Sequence, residues 1–131
     1  MPSGDALFTL LWTTKEVPAD NGTDLAGAER DAGLTIREGS VIRMVDFLPG
    51  ARSLMHRSHS IDYGLVLEGQ IDLELDGGDI KHLHPGDVVV QRGTNHLWSN
   101  ASSSEAAKMA FILIEAKPLV NNGKTINDSL I

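Results

Sequence analysis

Two segments decide how this chain folds. The first is Gly50-Ala51-Arg52-Ser53-Leu54-Met55-His56-Arg57-Ser58-His59-Ser60-Ile61-Asp62-Tyr63-Gly64-Leu65-Val66-Leu67-Glu68-Gly69. The second is His84-Pro85-Gly86-Asp87-Val88-Val89-Val90-Gln91-Arg92-Gly93-Thr94-Asn95-His96-Leu97-Trp98-Ser99-Asn100. Each pairs imidazole side chains with turn glycines on short segments of β character. The rest of the chain reads as support for that pairing.

Between the segments, Ile71, Leu73 and Leu75 alternate with Asp72, Glu74 and Asp76, the pattern of a half-buried strand. Asp76-Gly77-Gly78-Asp79 is a hairpin turn, and Ile80 to His84 is the return strand. Pro85-Gly86-Asp87 turns into a strand over Val88 to Gln91, and His96 to Ser99 begins the next. Upstream, Val41 to Leu48 reads as a strand, apolar on both sides except Arg43 and Asp46, and Pro49-Gly50 turns it. Leu7 to Thr14 is an N-terminal edge strand, because nothing upstream can pair with it locally. Residues 15–40, with Pro18, Asn21-Gly22, Gly27, Gly33 and Gly39, form a long loop or flap with one helical turn around Asp24 to Asp31. Downstream, Lys108 to Glu115 is the last core strand. Residues 116–131 are a C-terminal appendage, which Leu119, Val120, Ile126 and Leu130 would dock. Turn signals recur about every ten residues and helical periodicity is nearly absent, which predicts an all-β sandwich or barrel in a single domain over 1–131.

Composition narrows the function. The 131 residues carry 18 acidic against 11 basic side chains, net −7, which disfavours a nucleic-acid backbone or an anionic membrane as partner. There is no cysteine, so a metal would be held by His and carboxylate. The apolar run Ala6 to Trp12 lacks a preceding Lys or Arg and is a poor secretory signal, and no run is long enough to span a bilayer. The expectation is a cytoplasmic protein acting on a small molecule.

The two segments resemble the motifs of the cupin superfamily. The first motif begins with a glycine, five residues and a histidine, as do Gly50 and His56; its later acidic residue and closing glycine fall on Asp62 and Gly69, with Asp in place of Glu. In the second motif Gly86, His96 and Asn100 match, but the segment is one residue short and Arg92 stands near the usual proline. The Glu68-Gly69 and Pro85-Gly86-Asp87 turns are similar as well. The resemblance is to small single-domain, stand-alone cupins. It implies a jelly-roll barrel (a double-stranded β-helix) of about eight to ten strands, with the barrel over 41–115. It implies a small-molecule enzyme, often of secondary metabolism, and a homodimer in which the strand over 7–14 is exchanged. Similar proteins carry more chain before that strand, so a truncated N-terminus is expected.

The resemblance also implies a ligand set. The usual second histidine of the first motif falls on Ser58, and His59 comes one residue later, where strand alternation points it the other way. What stays in register is His56, His96 and Asp62, a two-histidine, one-carboxylate face for a divalent metal such as Fe, Zn, Mn or Ni. The alternative is a metal-free polar pocket. Asp62 reads equally as a ligand, as a hydrogen-bond partner of a histidine or as a general acid or base. His59 is a rim residue or a second proton carrier. Arg57 and Arg92 flank the motif histidines and would clamp a substrate carboxylate, unless they make surface ion pairs. Trp98 shares a face with His96 and would stack on a substrate or fill the core. Tyr63 belongs to the core or an interface; His82 and His84 belong to a solvated face.

Three functions follow. One is a lyase or isomerase that decarboxylates, dehydrates or enolises a small oxygenated, carboxylated or polyketide-like molecule. The second is a non-haem iron dioxygenase or other oxidoreductase, and the third a non-catalytic binding barrel.

Overall fold

A computed structural model of the chain describes residues 5–121, 124–125 and 129–130. Its elements are all strands: β1 (Ala6–Thr14), β2 (Ser40–Phe47), β3 (His56–Arg57), β4 (Ser60–Glu68), β5 (Ile71–Leu75), β6 (Ile80–Leu83), β7 (Val88–Arg92), β8 (His96–Ser99), β9 (Ala107–Glu115), β10 (Val120–Asn121), β11 (Lys124–Thr125) and β12 (Ser129–Leu130). Two five-stranded antiparallel sheets, ordered β1-β2-β9-β4-β7 and β12-β3-β8-β5-β6, carry the fold, with β10-β11 as a separate ribbon. This is the all-β double-stranded β-helix that the motif spacing implies.

Period-two alternation builds the core between the sheets. In β2 Val41, Val45 and Phe47 are buried, and the register sets them opposite Leu113, Met109 and Ala107 of β9. Cross-strand neighbours therefore bury one common face. From the other sheet Ile71 and Leu73 of β5 and Trp98 of β8 complete the cluster, with Leu73 and Trp98 directly opposed. In β4 the even-numbered Ser60, Gly64 and Val66 are buried, so Asp62 faces inward with them. Tyr63 faces outward and is exposed, so of its two expected places, the core or an interface, the core is excluded. His82 and His84 are exposed, with His82 Nδ1 2.6 Å from Asp72 Oδ1.

The segment between β1 and β2 contains no strand, but it is tied down. Thr13 Oγ1 donates to Gly27 O (2.6 Å), and Arg30 Nη1 donates to Thr13 Oγ1 (3.0 Å) while its Nη2 pairs with Asp24. One helical turn forms where Arg30 N reaches Ala26 O (2.9 Å). Further on, Arg43 holds the carbonyls of Gly33 and Leu34. The tail returns to the barrel, since β12 pairs with β3, Leu130 opposite His56. Of the residues expected to dock it, Leu119 and Val120 are both exposed, and Ile126 lies outside the described residues.

The turn after β4 needs glycine twice over. Gly69 has φ +72°, and a Cβ there would sit 2.5 Å from Ala106 O and 2.9 Å from Ala107 Cα, both backbone atoms. Gly69→Val is expected to cost about 3 kcal/mol, from left-handed strain plus a clash that no side-chain motion relieves. Urea unfolding measures it; a midpoint equal to wild type would contradict this account of the turn.

Candidate active site

β3 and β8 pair at a single position, His56 opposite His96. That register brings the two imidazoles together, with ring centroids 4.4 Å apart and planes tilted by 53°. Each ring is anchored by a backbone carbonyl at its own Nδ1: His56 Nδ1 lies 2.8 Å from Leu54 O, and His96 Nδ1 lies 2.7 Å from Thr94 O. A carbonyl only accepts, so each neutral ring carries its proton on Nδ1 and keeps a lone pair on Nε2. Across the barrel, β4 supplies Asp62. These three side chains line one cavity of about 660 Å³. Val45, Phe47, Trp98, Phe111 and Leu113 supply apolar wall, and exposed Asp5, Phe8, Leu34 and Arg52 also line the cavity. Trp98 is 6% exposed and meets Phe111 edge to face at 5.2 Å and His96 at 6.4 Å. It lines the cavity and packs the core at once.

The apolar wall tunes the titrating groups. Burial pushes the Asp62 carboxyl above the usual carboxylate range, against the opposing pull of a hydrogen bond from Ser60 and the nearby His56. Burial holds His96 below the ordinary imidazole value; the Thr94 carbonyl opposes this and the charge of His56 adds to it. The two shifts bring an acid and a base closer in proton affinity, which lowers the cost of passing a proton within the cavity. Asp62 is in turn held by a chain of buried hydroxyls: Ser58 Oγ to Ser60 Oγ at 2.9 Å, and Ser60 Oγ donating to Asp62 Oδ1 at 2.6 Å.

These shifts predict an acid limb of stability. Because the folded His96 value is depressed, the unfolded chain binds more protons between that value and about 6.5, so stability falls as pH drops through this window. Asp62 acts in the opposite sense at lower pH: the folded chain binds the extra proton, and stability falls as pH rises from about 3.8 through its raised value. Urea midpoints measured from pH 7 to pH 5 are expected to fall in wild type and to fall less steeply in His96→Gln. Equal slopes would contradict the burial account of His96.

The structure separates other candidates from this cavity. Arg57, His59 and Arg92 do not line it; they line a groove beyond β3 and β4, with Arg57 Nε donating to Gly93 O at 2.8 Å. The two arginines therefore do not clamp a ligand held at His56 and His96, and His59 is not placed to move its proton. Arg57 follows His56 on β3 and so points to the opposite face, Arg92 follows buried Gln91 on β7, and His59 lies in the break between β3 and β4, outside either strand's alternation. In their place the cavity has Arg43 and Arg52, which sequence reading did not single out. Parity with Val41, Val45 and Phe47 is the signal that locates Arg43. Arg52 sits beyond β2, bridged to Ser99, and has no comparable signal.

The metal expectation meets a geometric difficulty. His56 and His96 offer two Nε2 donors, but among the described residues no three His, Cys, Asp or Glu side chains stand close enough to share one ion. A protein-held catalytic ion of the zinc type takes three protein donors. The side chains as they stand do not fit the two-histidine, one-carboxylate set of His56, His96 and Asp62. By themselves these residues supply proton transfer and hydrogen bonding.

Fold and cavity define a small β-barrel with an internal, largely apolar pocket. The Cupin domain family matches residues 43–113, more than half of the chain, and the protein belongs to that family. Phomopsin biosynthesis cluster protein C' of Diaporthe leptostromiformis is 46% identical over 125 residues, covering 91% of this chain and 66% of that protein. The cupin-domain-containing oxidoreductase virC of Hypocrea virens is 43% identical over 122 residues, 89% of this chain and 63% of that one. The chain thus spans about two thirds of the length of these curated relatives. Among solved structures, a double-stranded β-helix protein of Klebsiella pneumoniae aligns with TM-score 0.63 at 18% identity, over 99% of this chain and 83% of that chain, a likeness of fold. No helix among the described residues is long and apolar enough to cross a membrane.

Proposed function

We propose that this protein is a small-molecule enzyme of secondary metabolism that moves protons on an oxygenated, largely apolar substrate, in the manner of an isomerase or lyase. The observation that carries this reading is the meeting of Asp62, His56 and His96 in one apolar-walled cavity. The kinship with biosynthesis-cluster proteins supports the metabolic setting. In this reading Asp62, made more basic by burial, takes a proton from carbon beside a carbonyl, and the electron pair passes into the enolate. The Nε2 lone pairs of His56 and His96 accept hydrogen bonds from substrate hydroxyls and fix its orientation. With a β,γ-unsaturated carbonyl, protonated Asp62 returns the proton at the γ-carbon of the dienolate, and the double bond moves into conjugation, completing an isomerisation. With a β-hydroxy carbonyl, it gives the proton to the β-hydroxyl, which departs as water while the enolate pair forms the new double bond, completing a dehydration. Trp98 and Phe111 bound the space the substrate body occupies.

Proton exchange tests this without knowledge of the natural substrate. Enolisable cyclic and aryl ketones of a size to fill about 660 Å³ are incubated with the protein in D₂O, and loss of the α-proton signal is followed by NMR. Exchange by wild type that is lost in Asp62→Asn is expected. No exchange above buffer across the panel would contradict the reading.

A second reading, an oxidoreductase, is favoured by the names of relatives such as virC and fogC. Oxygen uptake on addition of substrate separates it, since isomerisation and dehydration consume no oxygen.

A further inference from the structure

The groove that holds Arg57, His59 and Arg92 also takes Lys117, and it shares no lining residue with the cavity of Asp62. It encloses about 140 Å³, room for a group the size of a phosphate or a carboxylate but not for a drug-sized molecule. Its wall includes the hydroxyl-bearing Ser58 and Ser60, and among the described residues no Asp or Glu lines it. Glu38 and Glu115 belong to the adjoining depression, which shares Ser58, His59 and Lys117 with the groove. Among the described residues no carboxylate comes within ion-pair distance of Arg57, Arg92 or Lys117.

This concentration runs against the composition. The chain has 11 Lys and Arg against 18 acids, yet three of those cations converge on one small groove. Like charges brought together raise the free energy of the fold unless an anion offsets them. The position is also built, not incidental: Arg57 is fixed by its Nε bond to Gly93 O, and Gly93 sits at φ +73° between Arg92 and Thr94. From the groove, the hydroxyls of Ser58 and Ser60 continue as a hydrogen-bonded chain to Asp62 Oδ1 on the cavity side.

We propose that the Arg57–Arg92–Lys117 groove is a second binding site, one that takes a small oxyanion such as a phosphate or carboxylate group. Guanidinium and ammonium groups supply charge-assisted hydrogen bonds to the oxygens. The site stands apart from the proton-transfer cavity and is independent of what that cavity catalyses.

The test is an amide NMR titration with sodium phosphate, and separately with sodium acetate, at ionic strength held constant with sodium chloride. Saturable shifts are expected at Ser58, Ser60 and Gly93. Saturation by acetate as well as phosphate assigns the site to carboxylates too; saturation by phosphate alone restricts it to phosphate. Arg92→Ala, at an exposed position outside the cavity, should weaken binding at least about tenfold. Arg92→Lys should recover part of it, and His56→Ala should leave it unchanged. Absence of saturation with both anions up to about 10 mM, a very weak affinity even for a single small anion, would overturn the proposal. So would binding that is undiminished in Arg92→Ala/Lys117→Ala.

Discussion

Asp62→Asn should abolish most of the activity while leaving the fold at least as stable at neutral pH. A positioned general acid or base contributes roughly 10²–10⁴ in rate, and asparagine accepts no proton at any working pH. The replacement is nearly isosteric. Its Oδ1 still accepts from Ser60 Oγ, the bond that measures 2.6 Å in the parent. What it removes is a carboxylate that burial disfavours, which is why the Asp62 value stands above the ordinary range. Exchange rate in D₂O and urea midpoint at pH 7 read the two halves of this prediction. An active Asp62→Asn would show that Asp62 is not the proton carrier. A sharply destabilised one would show that the carboxylate is structural.

Asn100 carries the largest expected loss of stability. It is 2% exposed, and its Nδ2 donates to Phe47 O (3.0 Å), Leu48 O (3.3 Å) and Glu105 O (2.8 Å) while its Oδ1 accepts from Ser102 N (3.1 Å). Its backbone closes the same corner, with Gly50 N reaching Asn100 O and Asn100 N reaching Ala51 O. One side chain therefore ties the end of β2, the turn after it and the loop before β9. Asn100→Ala leaves these buried groups without their partner and should cost about 3 kcal/mol. Asn100→Asp should be worse at pH 7, because it keeps the acceptor and aims a carboxylate at three carbonyl oxygens. Equal stability of the two variants would mean that the three donations contribute little.

Much of this architecture is legible in the sequence because β alternation and turn chemistry are local. Gly69 and Asn100 stand at motif positions, and each has a steric or hydrogen-bonding reason to be there. The inward face of β2 can be read from Val41, Val45 and Phe47. The meeting of His56 with His96 follows from the motifs, although the register that pairs them is a long-range property. The arginines show where local reading fails. Proximity in sequence to His56 and His96 pointed to Arg57 and Arg92, whereas parity sends them to the opposite side of the strands. Arg43 was readable by the same parity. Arg52 was not, because it lies in irregular chain whose path depends on the bridge to Ser99. The donor count at the cavity was also out of reach, since it depends on separations across the barrel that motif spacing does not set.

The most direct test of the central claim, that one apolar cavity makes Asp62 more basic as the proton carrier and keeps His96 neutral as a hydrogen-bond acceptor, is a site-resolved NMR titration of the wild-type protein. The Asp62 carboxyl carbon and the His96 ring are followed together from pH 3 to pH 8. The account predicts that Asp62 titrates above the ordinary aspartate value of 3.8 and His96 below the ordinary histidine value of 6.5, each displaced toward the other. Ordinary values at both sites would contradict it, and the cavity would then be a pocket that holds a ligand without being arranged to move its protons.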